Sequence, residues 1–210
     1  MAAAPDDQAP PKQRVGRPST IRLDEIVAAA GEIGLRDVSM SAVARRLGVT
    51  TAALYGHVDG LDDLRDRVAT AIVDTFEIPD PGTDLDGVAI RFATRLRRMV
   101  VAHPGLAEHL MHSTPTAGYD QYKLIHREFV ERGLDAHAAR LIVEELVGFT
   151  LGYDLISFRR PPEDYPDPPT ADTYAPDGSI VPADDLFAWA VAAYVAGLLD
   201  AIDRGVLPWA

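Results

Sequence analysis

Apolar side chains recur along this chain at helical spacing, in blocks separated by glycine and proline. Leu23, Ile26, Val27 and Ala30 share one face of a segment that Gly34 stops, which predicts a helix over Leu23–Ile33. Ser39 is placed to cap a short helix, Met40–Leu47, ended by Gly48. Another short helix is predicted from about Thr51 to His57, and a longer one over Leu61–Phe76 with Leu64, Val68, Ile72 and Val73 as its stripe. The stretch IPDPGTD, residues 78–84, breaks the pattern with two prolines and a glycine and marks a domain boundary. Beyond it Phe92, Leu96, Met99, Val100 and His103 form one stripe, and Tyr122, Ile125, His126, Phe129 and Val130 another. Asp135 opens a long apolar helix that reaches about Phe158. Residues 159–183 hold 7 of the 16 prolines and are expected to be a loop. A last helix, Asp184–Arg204, is apolar on most of its surface. No alternating strand and no internal repeat stands out, so the predicted class is all-α.

Composition narrows the class. A chain of 210 residues can bury one large core or two small ones, and a hydrophobic share of 47% argues against global disorder. Without cysteine there are no disulfides and no thiolate metal ligands. The opening residues lack the apolar core of a secretory signal. Leu186–Ile202 is shorter than the roughly 20 residues of a membrane span and carries Asp200, so it reads as a buried helix. The expectation is a cytoplasmic protein with no membrane partner.

The net charge of −12 argues against a partner made of phosphates until it is mapped along the chain. Lys12–Thr75 carries nine basic and nine acidic residues, whereas 76–210 carries eleven basic and 21 acidic. Lys12, Arg14, Arg17 and Arg22 lie in a stretch with no acid at all. The acidity is therefore concentrated away from the N-terminal third.

That third contains SMSAVARRLGVTTAALYGH, residues 39–57. Val43, Ala44 and Leu47 turn inward on the first helix, Gly48 takes a tight turn, and Val49 and Leu54 join the core. Thr50, Thr51, Ala53, Tyr55, Gly56 and His57 remain as a small, exposed helix face that can lie in a DNA major groove. Ser39 and Ser41 begin the preceding helix, where a hydroxyl and backbone N–H groups can meet a phosphate. Arg45 or Arg46 adds a cation.

The segment from Gly16 to about Thr75 resembles the TetR family of transcription regulators. The resemblance rests on the Gly16-Arg17-Pro18 arm, Ile26–Ala30 with the following GLRDVSM, VARRLGV, and Leu54-Tyr55-Gly56-His57-Val58, which is closest to the tetracycline-repressor branch. It implies a disordered arm over 1–15, a three-helix helix-turn-helix domain over 16–77, and a helical effector-binding and dimerisation domain over 84–210. It further implies a homodimer that binds a palindromic double-stranded DNA operator and, as a repressor, is released by a small-molecule effector, with Leu61–Phe76 as the lever between domains. DNA contacts are expected from Arg17, Ser39, Ser41, Arg45, Thr50, Thr51, Ala53, Tyr55, Gly56 and His57. One position departs: where the family usually has a phosphate-binding lysine at the start of the fourth helix, this chain has Leu61, followed by Asp62 and Asp63.

The family places its effector among the middle helices, which makes Phe92, Leu96, Met99, His103, Leu110, Met111, Tyr122, His126 and Phe129 the candidate effector contacts, although most such positions also suit a core. Arg91, Arg95 and Arg98 share a helix face that suits either an anion or solvated ion pairs. His109 and His112 stand three apart on a helix, but no carboxylate joins them or His103 at ligand spacing, so neither a metal nor a cofactor is expected. A histidine-based metal hydrolase is the rival reading, and it lacks a paired carboxylate, a nucleophile motif and a phosphate loop. A DNA-packaging protein with no ligand is a second, and it would have a solid C-terminal core. No enzymatic activity is expected. Gly148 and Gly152 permit close helix approach and, with the apolar last helix, suit a four-helix dimer interface.

Overall fold

The computed structural model describes residues 21–77, 84–112, 118–157, 173–174 and 177–206. Within them the chain forms α1 (Leu23–Ile33), α2 (Met40–Leu47), α3 (Thr51–Leu54), α4 (Leu61–Val73), α5 (Leu85–Ala102), α6 (Leu106–His112), α7 (Tyr119–Glu131), α8 (Ala136–Ser157) and α9 (Ala183–Asp203). The all-α expectation holds, with one addition. β1 (Thr173–Tyr174) and β2 (Ile180–Val181) form a minimal antiparallel ribbon, Thr173 opposite Val181 and Tyr174 opposite Ile180, inside the stretch read as loop. The turn between them is held by Ser179, whose amide and hydroxyl both donate to Asp177 Oδ1 at 3.0 and 2.7 Å. Two residues per strand are too few to leave an alternating pattern in the sequence.

Local chemistry sets the helix ends. Ser39 caps α2, its hydroxyl oxygen accepting from the Ala42 amide at 3.3 Å, and Gly48 closes it in the left-handed conformation at φ 68°. α3 and α4 both end three residues before the predicted limits, at Leu54 and Val73. Past each end the chain goes on in tighter turns, with His57 N donating to Leu54 O at 2.9 Å and Phe76 N to Val73 O at 2.9 Å.

One cluster of buried side chains runs through the described residues, from Ile26, Leu54, Leu64 and Val68 through Phe92, Leu106, Ile125 and Phe129 to Ile142, Leu146, Phe187 and Val191. α1 packs on α2 and α4, α4 on α6, and α5 on both α8 and α9, while α7 covers α8. Arg97 of α5 is buried at 5% exposure, its guanidinium 4.9 Å from the Phe187 ring centre and 5.9 Å from that of Tyr153, and it pairs with Asp184 at the start of α9. Tyr194 ties α9 to α8 by donating to Glu145 Oε2 at 2.5 Å. Burial first, and then this bond, push the Tyr194 hydroxyl up to about 12.

The reading of the last helix as buried is corrected. α9 buries only Phe187, Val191 and Val195, and Trp189 on its other side is 70% exposed. At 21 residues it is also the one helix among the described residues long and apolar enough, by length and composition, to cross a membrane. The stretch Leu186–Ile202 leaves out Ala183, Asp184, Asp185 and Asp203 of this helix.

Candidate nucleic-acid interface and ligand cavity

The turn between α2 and α3 decides which side chains face outward. Leu54 is fully buried and Val43 and Ala44 of α2 pack in the same core, which turns the opposite side of α3 to solvent. Thr50, Thr51, Tyr55 and Gly56 are exposed, Tyr55 at 59%, while Ala53 and His57 are half-buried. Thr50 caps α3, its Oγ1 accepting from the Ala53 amide at 3.3 Å, so its hydroxyl hydrogen is left to donate outward. Ser41 is exposed, with its Oγ 3.3 Å from that of Ser39. The two arginines of α2 differ. Arg46 pairs with Glu32 of α1, while Arg45 is exposed and makes no ion pair among the described residues. Arg17, with Lys12 and Arg14, lies outside the described residues.

The start of α4 is acidic. Gly60, at φ 136°, offers no side-chain cap, and Asp63 serves the turn instead, its Oδ2 accepting from the Asp59 amide at 2.9 Å and its Oδ1 from Arg67 at 2.9 Å. Slight burial raises the Asp63 carboxyl, but the Asp59 amide and the Arg67 guanidinium outweigh it and hold the group below the usual carboxylate range. Leu61 is half-buried, and the two basic side chains near this helix start face its own carboxylates, Arg65 at 3.7 Å from Asp62 and Arg67 at 2.9 Å from Asp63.

A cavity of about 220 Å³ opens among the middle helices. Val73 and Phe76 come to it from the end of α4, Phe92, Leu96 and Met99 from α5, Leu110 from α6, Tyr119, Gln121 and Tyr122 from α7, and Val143, Val147 and Leu151 from α8. Phe76 meets Phe92 edge to face, ring centres 5.7 Å apart. Burial, with the Glu144 charge second, raises the Tyr122 hydroxyl above its ordinary value, so this polar wall group stays neutral.

Of the candidate effector contacts, Phe92, Leu96, Met99, Leu110 and Tyr122 thus share one cavity, and the other four do not line it. His103 lines grooves beside α5, Met111 is 50% exposed, His126 Nε2 lies 3.0 Å from the Ala136 carbonyl, and Phe129 is fully buried in the core. Val73, Phe76, Gln121 and the α8 residues were not among the positions expected from the sequence. Val143, Val147 and Leu151 repeat every fourth residue, a signal that served equally for core or dimer interface.

The histidines diverge. His109 Nε2 lies 2.8 Å from Asp66 Oδ1 of α4, and His112 Nδ1 lies 2.7 Å from the Glu108 carbonyl of its own helix. Among the described residues no group of three or more His, Cys, Asp or Glu converges as a metal site would require.

No protein-family model matches the chain. It is 34% identical over 132 residues to an HTH-type transcriptional regulator of Saccharopolyspora erythraea, a match covering 60% of this chain and 54% of that protein. The chain thus spans about half the length of the curated relative it matches. Its fold is similar to that of the Streptomyces coelicolor TetR family protein ActR in complex with actinorhodin, with a TM-score of 0.68, 24% identity, and coverage of 85% of this chain and 95% of that one. It is also similar to a TetR variant from Acinetobacter baumannii in complex with minocycline, with a TM-score of 0.66, 19% identity, and coverage of 86% and 97%. The helices and turns described here build the fold of the TetR-family transcriptional regulators.

Proposed function

We propose that this protein is a ligand-responsive, DNA-binding transcription regulator without enzymatic activity, acting in the cytoplasm as a homodimer. In this reading residues 16–77 form the DNA-binding domain and residues 84–210 the effector-binding and dimerisation domain. A dimer sets two copies of α3 about 34–36 Å apart, one turn of DNA, and holds a palindromic operator as a repressor. Thr50, Thr51, Ala53, Gly56 and His57 face base edges, while Ser39, Ser41, Arg45, Tyr55 and the arm with Arg17 meet phosphates. An effector in the cavity touches Val73 and Phe76 at the end of α4, and so favours a conformer with a different spacing of the two α3 helices.

The observation that carries the reading is the outward face of α3. A tyrosine at 59% exposure stands beside small hydroxyl-bearing residues on a helix whose only fully buried side chain is Leu54. The test is a gel shift on the DNA upstream of the protein's own coding sequence, at fixed salt and with non-specific competitor. The protein is expected to give a discrete complex, and Tyr55→Ala to weaken it by about tenfold or more. Equal retardation of unrelated DNA by both proteins would remove the reading.

A further inference from the structure

The cavity shares part of its apolar wall with a second, more open depression. Phe76 and Met99 line both, the second being an open groove between the end of α4 and α5. Arg91, Arg95 and Arg98 of α5 line that groove together with His103. It gathers positive charge on a chain whose formal net charge is −12.

The three arginines are not equivalent. Arg91 already has a partner. Arg95 donates to Glu77 at 2.9 Å, but the two side chains are 44% and 80% exposed, so solvent screens the pair and a better-placed anion can replace Glu77. Arg98 is exposed and makes no ion pair among the described residues.

The size and polarity of the cavity complete the case. Its volume of about 220 Å³ falls below the roughly 300–1,000 Å³ of sites that enclose a ligand of ordinary size. Its wall holds the neutral polar groups of Gln121, Tyr119 and Tyr122 and no charged side chain. A carboxylate wholly inside would lose its water and gain no cation. A ligand that extends past Phe76 and Met99 meets guanidinium groups, whose fork suits a planar acid.

We infer that the effector is an amphipathic anion, with an apolar ring or chain in the cavity and an acidic group against Arg95 and Arg98 across Phe76 and Met99. The inference rests on the cavity being the effector site. It would make the ligand a bridge between the α4 end and α5, where an uncharged apolar molecule would touch the cavity alone.

Two dyes of nearly the same ring system test it by fluorescence titration of the intact protein: anilinonaphthalene sulfonate, which is anionic, and N-phenylnaphthylamine, which is neutral. The sulfonate is expected to bind about tenfold more tightly than the neutral dye. Arg95→Gln with Arg98→Gln should abolish that preference and leave the neutral dye's affinity unchanged. Val147→Trp, which fills the cavity, should weaken both dyes, and Leu110→Phe serves the same purpose if circular dichroism shows that the tryptophan variant does not fold. No preference in the wild type, or a preference that survives the double substitution, overturns the anionic end. The cavity reading still stands in that case, provided cavity filling weakens the neutral dye. If cavity filling affects neither dye, or neither dye binds, the cavity reading itself fails and the inference with it.

Discussion

Gly105 holds φ +94° where the loop before α6 meets the turn after α1. A Cβ there would stand 2.7 Å from the Arg36 amide nitrogen and 3.1 Å from the Leu35 carbonyl carbon, both backbone atoms that cannot rotate away. Gly105→Ala is therefore expected to cost about 2 kcal/mol or more, since the left-handed angle alone costs an L-residue roughly 1–2 kcal/mol. Thermal unfolding should show a melting temperature lower by several degrees, and a wild-type value would mean that the loop does not pack on the α1–α2 turn. Such a residue cannot be found from sequence, because Arg36 and Gly105 are far apart in the chain. Ser39 and Gly48 are the opposite case. A cap and a left-handed turn act within a few residues, so the pattern around them shows both.

At the scale of the element, α4 serves several parts of the structure at once. Its first turn is held by Asp63, its inner face by Leu64 and Val68, its outer side by Asp66 against His109 of α6, and the turn at its end brings Phe76 to the cavity. The amphipathic stripe announced the inner face alone. Asp63→Ala should cost about 1 kcal/mol near pH 7, the usual worth of a capping side chain. The sign of its pH dependence follows from the lowered carboxyl. The contribution is complete above the unfolded value of 3.8 and is lost as pH falls through the lower folded value. Urea unfolding of both proteins from pH 7 downward should show a stability gap that narrows in acid. A gap independent of pH would mean that the ionised form is not what stabilises the turn. The ends of α3 and α4 were misplaced by three residues for a related reason. Continued i→i+3 turns keep the helical spacing of side chains while giving up the helical hydrogen bond.

At the scale of the whole molecule, α9 remains half uncovered. Phe187, Val191 and Val195 face the bundle, while Trp189 is 70% exposed on a helix apolar enough to satisfy the length and composition of a membrane span. A second copy of the chain is the proposed cover, with α8 and α9 of each copy forming four helices. Trp189→Glu removes no buried contact within the protomer, yet it should halve the mass found by light scattering at micromolar concentration. Operator affinity should fall by about tenfold or more, because the two half-sites would no longer be held together. A variant that stays dimeric would place the interface elsewhere.

The all-helical class, the helix-turn-helix and the face of α3 could all be read from the chain alone, because each depends on spacing, caps and turns within a few residues. Four cavity residues, Phe92, Leu96, Met99 and Tyr122, were also within reach, because they lie on helical stripes, whereas Leu110 followed only from the family resemblance. Only the tertiary structure decided which apolar residues surround empty space and which fill it. Phe129 and Leu110 looked alike in sequence, yet one is packed in the core and the other lines a cavity, since that choice depends on helices distant in the chain. The same holds for the arginines of α5. Burial of Arg97 between two aromatic rings and exposure of Arg98 one position later are set by where α8 and α9 lie, and no local pattern records that.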